Sequence, residues 1–298
     1  MKHESSQRCA STLGRRTFFV YAVSAALAGG LMHLLPAPTF AQQINNINIS
    51  PKRVVFSGST NNSVVYIFNR GDEPVTYRVE LVDRLMLPNG EIRAKDELIN
   101  AGTEPDLIKN FKSAEGMVQY TPRRVTLQPG QSQTIRLRLL RPASLADGEY
   151  RTTLTVSALP PENIGITADQ AFAEDRGELS IRAIAQFEIS IPLIVRQGQL
   201  AAGVRIENAR ASGQKLELEL ARSGSRSVYG DIEVRENSEG GEIVGLVRGV
   251  GVYGEIDRRS LEIPLNRAVR PGETLHLSYR EDAERDASAQ ATEKIVAQ

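Results

Sequence analysis

The sequence predicts an all-β protein built from antiparallel β-sandwiches. Nearly every segment from Asn45 to Tyr279 alternates apolar and polar residues, which is the period of a half-buried strand. Turn-forming residues separate these segments at intervals of about 8 to 12 residues, a spacing typical of sandwiches. No helical period lies between them, and a chain of 298 residues is long enough for two ordinary domains.

The first 41 residues are predicted to be a cleaved export signal that belongs to neither domain. A basic start is followed by an apolar run from Phe18 to Leu35 and then by small residues, with cleavage expected after Ala41. The stretch GRRTFFVYA adds a twin arginine, a hint of the twin-arginine export route. An uncleaved membrane anchor is the alternative, because about 18 residues is near the minimum for a spanning helix. Two glycines and a histidine interrupt the run, which favours cleavage.

Composition limits the chemistry open to the exported chain. Loss of the signal removes the one cysteine, Cys9, and leaves His276 as the one histidine, which argues against disulfides and multi-His zinc sites. The remaining net charge is slightly negative without a polybasic block, so nothing favours nucleic acid or a membrane surface. The sequence has no Gly-rich phosphate loop, serine elbow, metal motif or paired carboxylates at glycosidase spacing. We therefore expect no enzymatic activity and no cofactor.

Strand and turn patterns follow in order after the signal. SVVYIFN and VTYRVELVD flank a turn, RGDEP, and LMLPNGEIR carries Asn89-Gly90, the strongest short hairpin signal. RRVTLQPGQSQTIRLRLL predicts two strands joined at Pro129-Gly130, and GEYRTTLTVSAL predicts another strand.

Two stretches interrupt this rhythm. Residues 160–178 are polar and punctuated by Gly and Pro, and a loop of that length is usually functional or mobile. Residues 196–203, RQGQLAAG, are small and flexible and predict the hinge between domains. Five further strand patterns follow the hinge. The predicted organisation is an export signal at 1–41, a first domain at 42–197, a second domain at 198–282 and a disordered tail at 283–298.

The strand before the hinge, SIRAIAQFEISIPLIVR at residues 180–196, has one apolar face. That face is formed by Phe187, Ile189, Ile191 and Leu193, and the alternate positions are Gln186, Glu188, Ser190 and Pro192. Proline lacks a backbone N–H and is tolerated in edge strands rather than central ones. Two interpretations remain open at this point. The apolar side chains face the core of their own sandwich, or they lie on an edge available for pairing with a partner.

Four segments together resemble periplasmic pilus chaperones of the chaperone–usher pathway. The segments are RVVFSG (53–58), PRRVTLQPGQSQTIRL (122–137), DGEYRTTLTVSALPP (147–161) and ISIPLIVR (189–196). Their order and spacing carry the resemblance, which covers residues 44–197 well and the second domain more loosely. It implies two immunoglobulin-like β-sandwich domains joined at an angle by a short hinge, in a protein located in the periplasm.

The resemblance also implies a mechanism, donor-strand complementation. A chaperone of this family lends the last strand of its first domain to a pilus subunit whose sandwich is incomplete, and passes the subunit to an outer-membrane usher. In physical terms this is β-augmentation, in which ladder hydrogen bonds give affinity and alternate side chains give fit. Under this resemblance Phe187, Ile189, Ile191 and Leu193 are the donor residues. The expected partners are pilin-like subunits and an usher, with self-association through the same edge.

Arg53 matches the family's first-strand arginine, which binds the terminal carboxylate of the subunit. A guanidinium holds a carboxylate through two parallel hydrogen bonds. The family's second cation, a lysine on the last strand, aligns with Pro192 here, so the usual two-point anchor is incomplete. Lys52 does not replace it, because adjacent strand residues point to opposite faces. The alternative for Arg53 is an exposed arginine in a surface ion pair, worth little.

Three further charges match a family ion network that ties the two domains together: Glu149, Arg196 and Asp282, the last from LSYRED alone. Little patterned sequence follows Asp282, which leaves open whether the second domain has a terminal strand. QINNINIS, with Ile44, Ile47 and Ile49, is either an ordinary first strand or an N-terminal extension of the kind seen in this family.

A second class of protein remains open, an exported immunoglobulin-like structural or adhesive protein without chaperone activity. The missing lysine favours it, whereas the apolar alternation before the hinge and the long loop oppose it. A chaperone would bind a subunit, or dimerise through its edge when alone. A structural module would remain monomeric and indifferent to unfinished partners.

Overall fold

The computed structural model describes residues 47–160, 187–282 and 289–298. By its contacts the chain divides into Met1–Gln42 and Gln43–Gln298, and the described residues all belong to the second unit. The predicted all-β class is confirmed, because the strands of this unit form two β-sandwiches. The predicted export signal, Ile44 and the loop beyond residue 160 lie outside the described residues.

The first sandwich packs a four-stranded sheet against a five-stranded one. In chain order its elements are β1 (Ile47–Ser50), β2 (Val54–Phe56), β3 (Asn62–Asn69), β4 (Val75–Val82), β5 (Arg84–Met86), β6 (Ile92–Ala94), α1 (Lys95–Ala101), α2 (Pro105–Asn110), a 3₁₀ turn (Glu115–Met117), β7 (Val118–Thr121), β8 (Arg124–Leu127), β9 (Ser132–Leu139), β10 (Gly148–Ala158) and β11 (Glu188–Gln197). The sheet orders are β1-β3-β9-β7 and β2-β11-β10-β4-β8. Apolar residues at alternate positions fill the space between them, as the period of two requires.

Two local predictions in this sandwich have different outcomes. Ile47 and Ile49 are buried in the core, so β1 is an ordinary first strand as far as the described residues extend. The two strands around Pro129-Gly130 form as predicted, but they belong to opposite sheets. The turn, with Gly130 at a φ of 73°, therefore joins the two layers rather than closing a hairpin.

Residues 84–111 form an excursion between β4 and β7, which we call the arm. It consists of the β5–β6 hairpin and the helices α1 and α2. The hairpin predicted from Asn89-Gly90 is confirmed, and Gly90 has the positive φ of 86° that such a turn demands. The helices were not predicted, because elements of seven and six residues are too short to show a helical period.

The second sandwich follows a short connection at residues 198–201, inside the segment predicted as the hinge. Its strands are β12 (Ala202–Ser212), β13 (Lys215–Gly224), β14 (Val228–Glu236), β15 (Ile243–Val252), β16 (Arg258–Pro264), β17 (Thr274–Glu281) and β18 (Gln290–Val296). The sheet β12-β13-β16 packs on the sheet β15-β14-β17-β18 around one apolar core.

The prediction of a disordered tail from residue 283 is wrong for its last part. β18 pairs with β17 over its whole length, from Arg280↔Gln290 to Thr274↔Val296. Ala289 and Ala297, at its two ends, are buried. Alanines and charged residues dominate this segment, and its composition therefore resembles that of a solvated tail. Its alternate residues nevertheless face a core, although each alanine buries little surface. The second sandwich therefore has a terminal strand.

In the part of the chain that the structure describes, neither helix is long and apolar enough to cross a membrane.

Candidate functional site

The candidate site lies on the outer face of the five-stranded sheet, where the second sandwich begins. The parallel pairing of β2 with β11 puts Pro192 beside Arg53, so the neighbour of this arginine carries no charge. β10 follows on the other side of β11 and presents Arg151 on the same face. The inner face of the same strands carries the apolar core.

Arg53 reaches across to the second sandwich. Its guanidinium carbon lies 4.6 Å from the centroid of the Tyr229 ring in β14, within the range of a cation–π contact. Arg53 is half-buried, whereas Lys52 is exposed and donates from Nζ to Asn48 Oδ1 at 3.4 Å. Lys52 lies in a bend before β2, and the two cations contact different groups. Binding of a carboxylate by Arg53 stays a prediction.

Two further tyrosines of the second sandwich lie near these arginines. Burial raises the pKa of the Tyr253 phenol, and the positive charges of Arg151 and Arg53 oppose that rise. Burial, reinforced by Glu281, raises the pKa of Tyr279, and Arg53 again opposes it. Tyr279 donates its hydroxyl hydrogen to Val250 O at 3.2 Å. Both phenols are therefore neutral at physiological pH, so the junction beside Arg53 gains no negative charge from them.

A buried ion pair that was not predicted from the sequence crosses between the sandwiches. Arg151 donates from Nη2 to Glu255 Oε1, and the two side chains are only 5% and 3% exposed. The guanidinium carbon of Arg151 lies 4.1 Å from the Tyr253 centroid and 5.4 Å from that of Phe111 in the arm. Arg151 begins a run of buried residues in β10, but this burial is visible only in the folded chain. Its partner, Glu255, lies in a loop that no pattern singled out.

Of the predicted ion network, the structure brings Glu149 and Arg196 together. Arg196 donates from Nε to Glu149 Oε2 at 3.0 Å. The other carboxylate oxygen of Glu149 accepts the backbone N–H of Ser227 at 3.0 Å, which links the pair to the second sandwich. Asp282 follows β17, is exposed and donates its backbone N–H to Tyr229 O at 3.0 Å. The role of these three residues in setting the domain angle stays a prediction.

The buried carboxylate at the end of β17 is Glu281, the residue before the predicted Asp282. It pairs with Arg226, whose Nη1 lies 2.5 Å from Glu281 Oε1, and both side chains are almost fully buried. Glu281 Oε2 also accepts the backbone N–H of Ala289 at 2.8 Å. This carboxylate therefore holds the start of β18 within the second sandwich.

β11 is paired along the whole of one edge and along only part of the other. It pairs with β10 over its whole length, from Gly148↔Gln197 to Ser157↔Glu188. On its other side β2 pairs with Leu193–Val195 alone, so no described strand covers Glu188–Pro192. We call this stretch, Glu188–Pro192, the open edge.

The four predicted donor residues divide into two groups. Ile191 and Leu193 are 2% and 0% exposed and belong to the core of the first sandwich, and the donor role of the four residues stays a prediction. The register of β11 turns Ile191 and Leu193 inward. Ile189 packs against the edge of that core, and Phe187 precedes the strand, partly buried. The open edge therefore exposes its backbone, with the less buried side chains of Ile189 within it and of Phe187 just before it.

A cleft of about 220 Å³ lies beside the junction, between the end of the arm, the start of β10 and loops of the second sandwich. Its lining balances basic residues such as Lys112 against acidic ones such as Asp147. Arg222, also in the lining, is fully engaged by carbonyl oxygens and Asp257. Within the described ranges, no group of three or more His, Cys, Asp or Glu residues lies close enough to hold a metal ion.

No family model matches the chain. One curated protein, the small heat shock protein HspA of Bradyrhizobium diazoefficiens, is 36% identical over 81 residues. That alignment covers 26% of this chain and 53% of the relative, so the chain spans about half of the relative's length.

Similar solved structures include several chaperones. They include the YadV chaperone, with 14% identity and a TM-score of 0.43 over 84% of this chain and 100% of that one. The CupB2 chaperone of Pseudomonas aeruginosa shows 13% identity and a TM-score of 0.43 over 84% and 100%. The CsuC–CsuE chaperone–tip adhesion subunit complex of Acinetobacter baumannii shows 13% and 0.42 over 85% and 99%.

Proposed function

We propose that the protein is a periplasmic chaperone that captures an incomplete immunoglobulin-like pilus subunit by strand pairing and delivers it to an outer-membrane usher. One observation supports this proposal above the others. The last strand of the first sandwich leaves Glu188–Pro192 unpaired on one side among the described residues, and this open edge ends beside Arg53.

The open edge is suited to β-augmentation. An exposed strand edge presents unpaired N–H and C=O groups, and proteins normally cover or interrupt such edges. Here five residues, about 17 Å of extended chain, stand free before β2 takes over the pairing. A subunit strand laid along this stretch would continue the sheet in line with β2, with its ladder hydrogen bonds providing most of the affinity.

Arg53 lies where such a strand would end. It directly precedes β2, whose pairing with β11 begins at Leu193. A subunit strand running parallel to β11 would therefore bring its C-terminal carboxylate towards the Arg53 guanidinium. Contact with Tyr229 holds that guanidinium at the junction. Because Pro192 is the neighbouring residue, a bidentate contact to one arginine would replace the paired cations of the family.

The burial of Ile191 and Leu193 favours the second candidate, an exported structural or adhesive module that keeps its last strand for itself. In that case the open edge is an ordinary sandwich edge, and Arg53 acts only through its contact with Tyr229. The two candidates predict different outcomes of one capture experiment.

The experiment is a periplasmic pull-down of the tagged chain, co-expressed with a panel of pilin-like subunits. Ile189→Asp places a charge at the open edge, and its matched control is Val64→Asp, an exposed apolar residue of the other sheet. Arg53→Ala removes the proposed anchor, and its matched control is the neighbouring Lys52→Ala. We expect the wild type and both controls to retain a subunit, and Ile189→Asp and Arg53→Ala to release it.

Each other outcome has a defined meaning. Release by Ile189→Asp alone would leave the edge in place and reduce Arg53 to a structural residue. A folded, monomeric wild type that retains no subunit across the panel would overturn the proposal and favour the structural module.

A further inference from the structure

The arm, although inserted in the first sandwich, contributes to the core of the second. The Met86 side chain is 4% exposed and packs among the buried residues of the second sandwich, and Leu107 packs against the same cluster. The backbone N–H of Ser260 donates to Pro88 O at 2.7 Å, which joins the hairpin turn to β16. Apolar burial and a backbone hydrogen bond thus fasten the arm to the far domain.

Glu255 is the residue on which these contacts converge. Its Oε1 accepts the backbone N–H of Met86 at 2.8 Å and also a hydrogen bond from Arg151 Nη2. One carboxylate of the second sandwich therefore binds both the arm and β10. Because the carboxylate is 3% exposed, water cannot replace a partner that is removed.

The hairpin turn at Gly90 also lies in close contact with the second sandwich. A Cβ at Gly90 would lie 2.5 Å from Arg259 Nε and 2.8 Å from its Nη2, so a side chain there would displace the Arg259 guanidinium. Arg259 is held in turn by a bond from Nη1 to Gly251 O at 2.8 Å. The close fit leaves the turn little freedom to slide over β16.

At its other end the arm reaches the open edge. Arg84, the first residue of β5, donates from Nη2 to Glu188 Oε1. The arm is therefore in contact with the first residue of the open edge, with β10 and with the second sandwich.

We propose that the arm acts as a strut that fixes the angle between the two sandwiches, with Glu255 as its positioning residue. By holding β14 and its Tyr229 against the first domain, the strut keeps Arg53 in place at the end of the open edge. The proposal that the arm fixes the angle does not depend on any partner. The proposal that this angle serves subunit capture rests on the proposed function.

The test is a distance measurement between two spin labels, one in each sandwich, by pulsed electron spin resonance. Exposed positions are Gln119 in β7 and Glu217 in β13, each changed to Cys in a chain carrying Cys9→Ser. We expect one narrow distance distribution for the otherwise unchanged protein. In Glu255→Ala that narrow peak should be lost, because Met86 N–H and Arg151 lose their shared acceptor.

Two variants separate positioning from stability. Glu255→Gln retains an oxygen acceptor for both donors and should largely restore the narrow peak. Glu273→Ala removes a carboxylate that pairs with Arg267 inside the second sandwich, away from the arm, and should leave the peak unchanged.

A narrow peak in Glu255→Ala that coincides with that of the unchanged protein would overturn the proposal, even if the variant melts earlier. Should Glu255→Ala not fold, Met86→Ala tests the same contact and the same two outcomes decide. No subunit takes part in the distance measurement, so a result that overturns the strut does not change the interpretation of the capture experiment. A wild-type chain that shows the narrow distance peak but retains no subunit in the capture experiment would count against the proposed function and not against the strut.

Discussion

β11 and β18, the last strands of the two sandwiches, differ in how completely neighbouring strands cover them, and the more polar of the two is the better covered. β11 is apolar and is predicted to be offered to a partner, yet its core-facing side chains are used by its own sandwich and β2 covers it at Leu193–Val195. β18 is polar and is predicted to be disordered, yet it pairs fully with β17 and packs against β12 on its other side. Whether a strand is free depends on the neighbours that the fold supplies and not on its own composition.

The largest effect should come from deleting residues 290–298. If β18 completes the second sandwich, its loss exposes the β17 edge and the core beneath it. The loss should exceed about 4 kcal/mol, enough to unfold a marginal domain. Urea unfolding followed by circular dichroism measures it. Lys294→Ala, an exposed change within the strand, is the matched control and should stay within about 0.5 kcal/mol. An unchanged midpoint after the deletion would restore the interpretation of a solvated tail.

The two halves of β11 should respond unequally to the same kind of truncation. Leu193→Ala empties a fully buried site and should destabilise the first sandwich by about 2–5 kcal/mol. Ile189→Ala, at the border of the core beside the open edge, should cost about 1 kcal/mol or less. The difference between their urea midpoints is the measurement. Equal losses would mean that the open edge is as firmly packed as the rest of the strand.

The smallest effect concerns the turn that holds the end of β18. Glu273 O accepts the backbone N–H of Ala297 at 2.8 Å, and its carboxylate binds Arg267 and the backbone N–H of Arg270. The hydrogen bond from Arg267 lowers the pKa of Glu273 from its ordinary value of 4.5 to about 2. A lowered carboxyl pKa contributes stability that is present above pH 4.5 and is lost as the pH falls through about 2.

Comparison of the wild type with Glu273→Gln checks this dependence. At pH 5 the free energy of unfolding of the wild type should exceed that of the variant by less than about 1 kcal/mol, and this gap should close towards pH 2. Added salt should narrow it as well. A gap that is constant with pH would mean that the carboxylate charge contributes nothing to holding β18.

Most of the strands could be predicted because alternation and turn residues are local signals. Asn89-Gly90, for example, specified its hairpin. The helices of the arm and the strand β18 were missed because they are short or rich in small residues. Neither property distinguishes them from loops until a core lies beside them.

The sequence by itself determined the class of the fold, the order of its strands and the unusual neighbour of Arg53, because each depends on the identity of residues close along the chain. Only the tertiary structure decided which face of β11 is buried, where the open edge begins and which carboxylate meets Arg151. These features depend on register and on contacts between residues more than 100 positions apart, such as Arg151 with Glu255 and Arg84 with Glu188. Such contacts leave no periodic trace, since either partner alone resembles an ordinary surface charge.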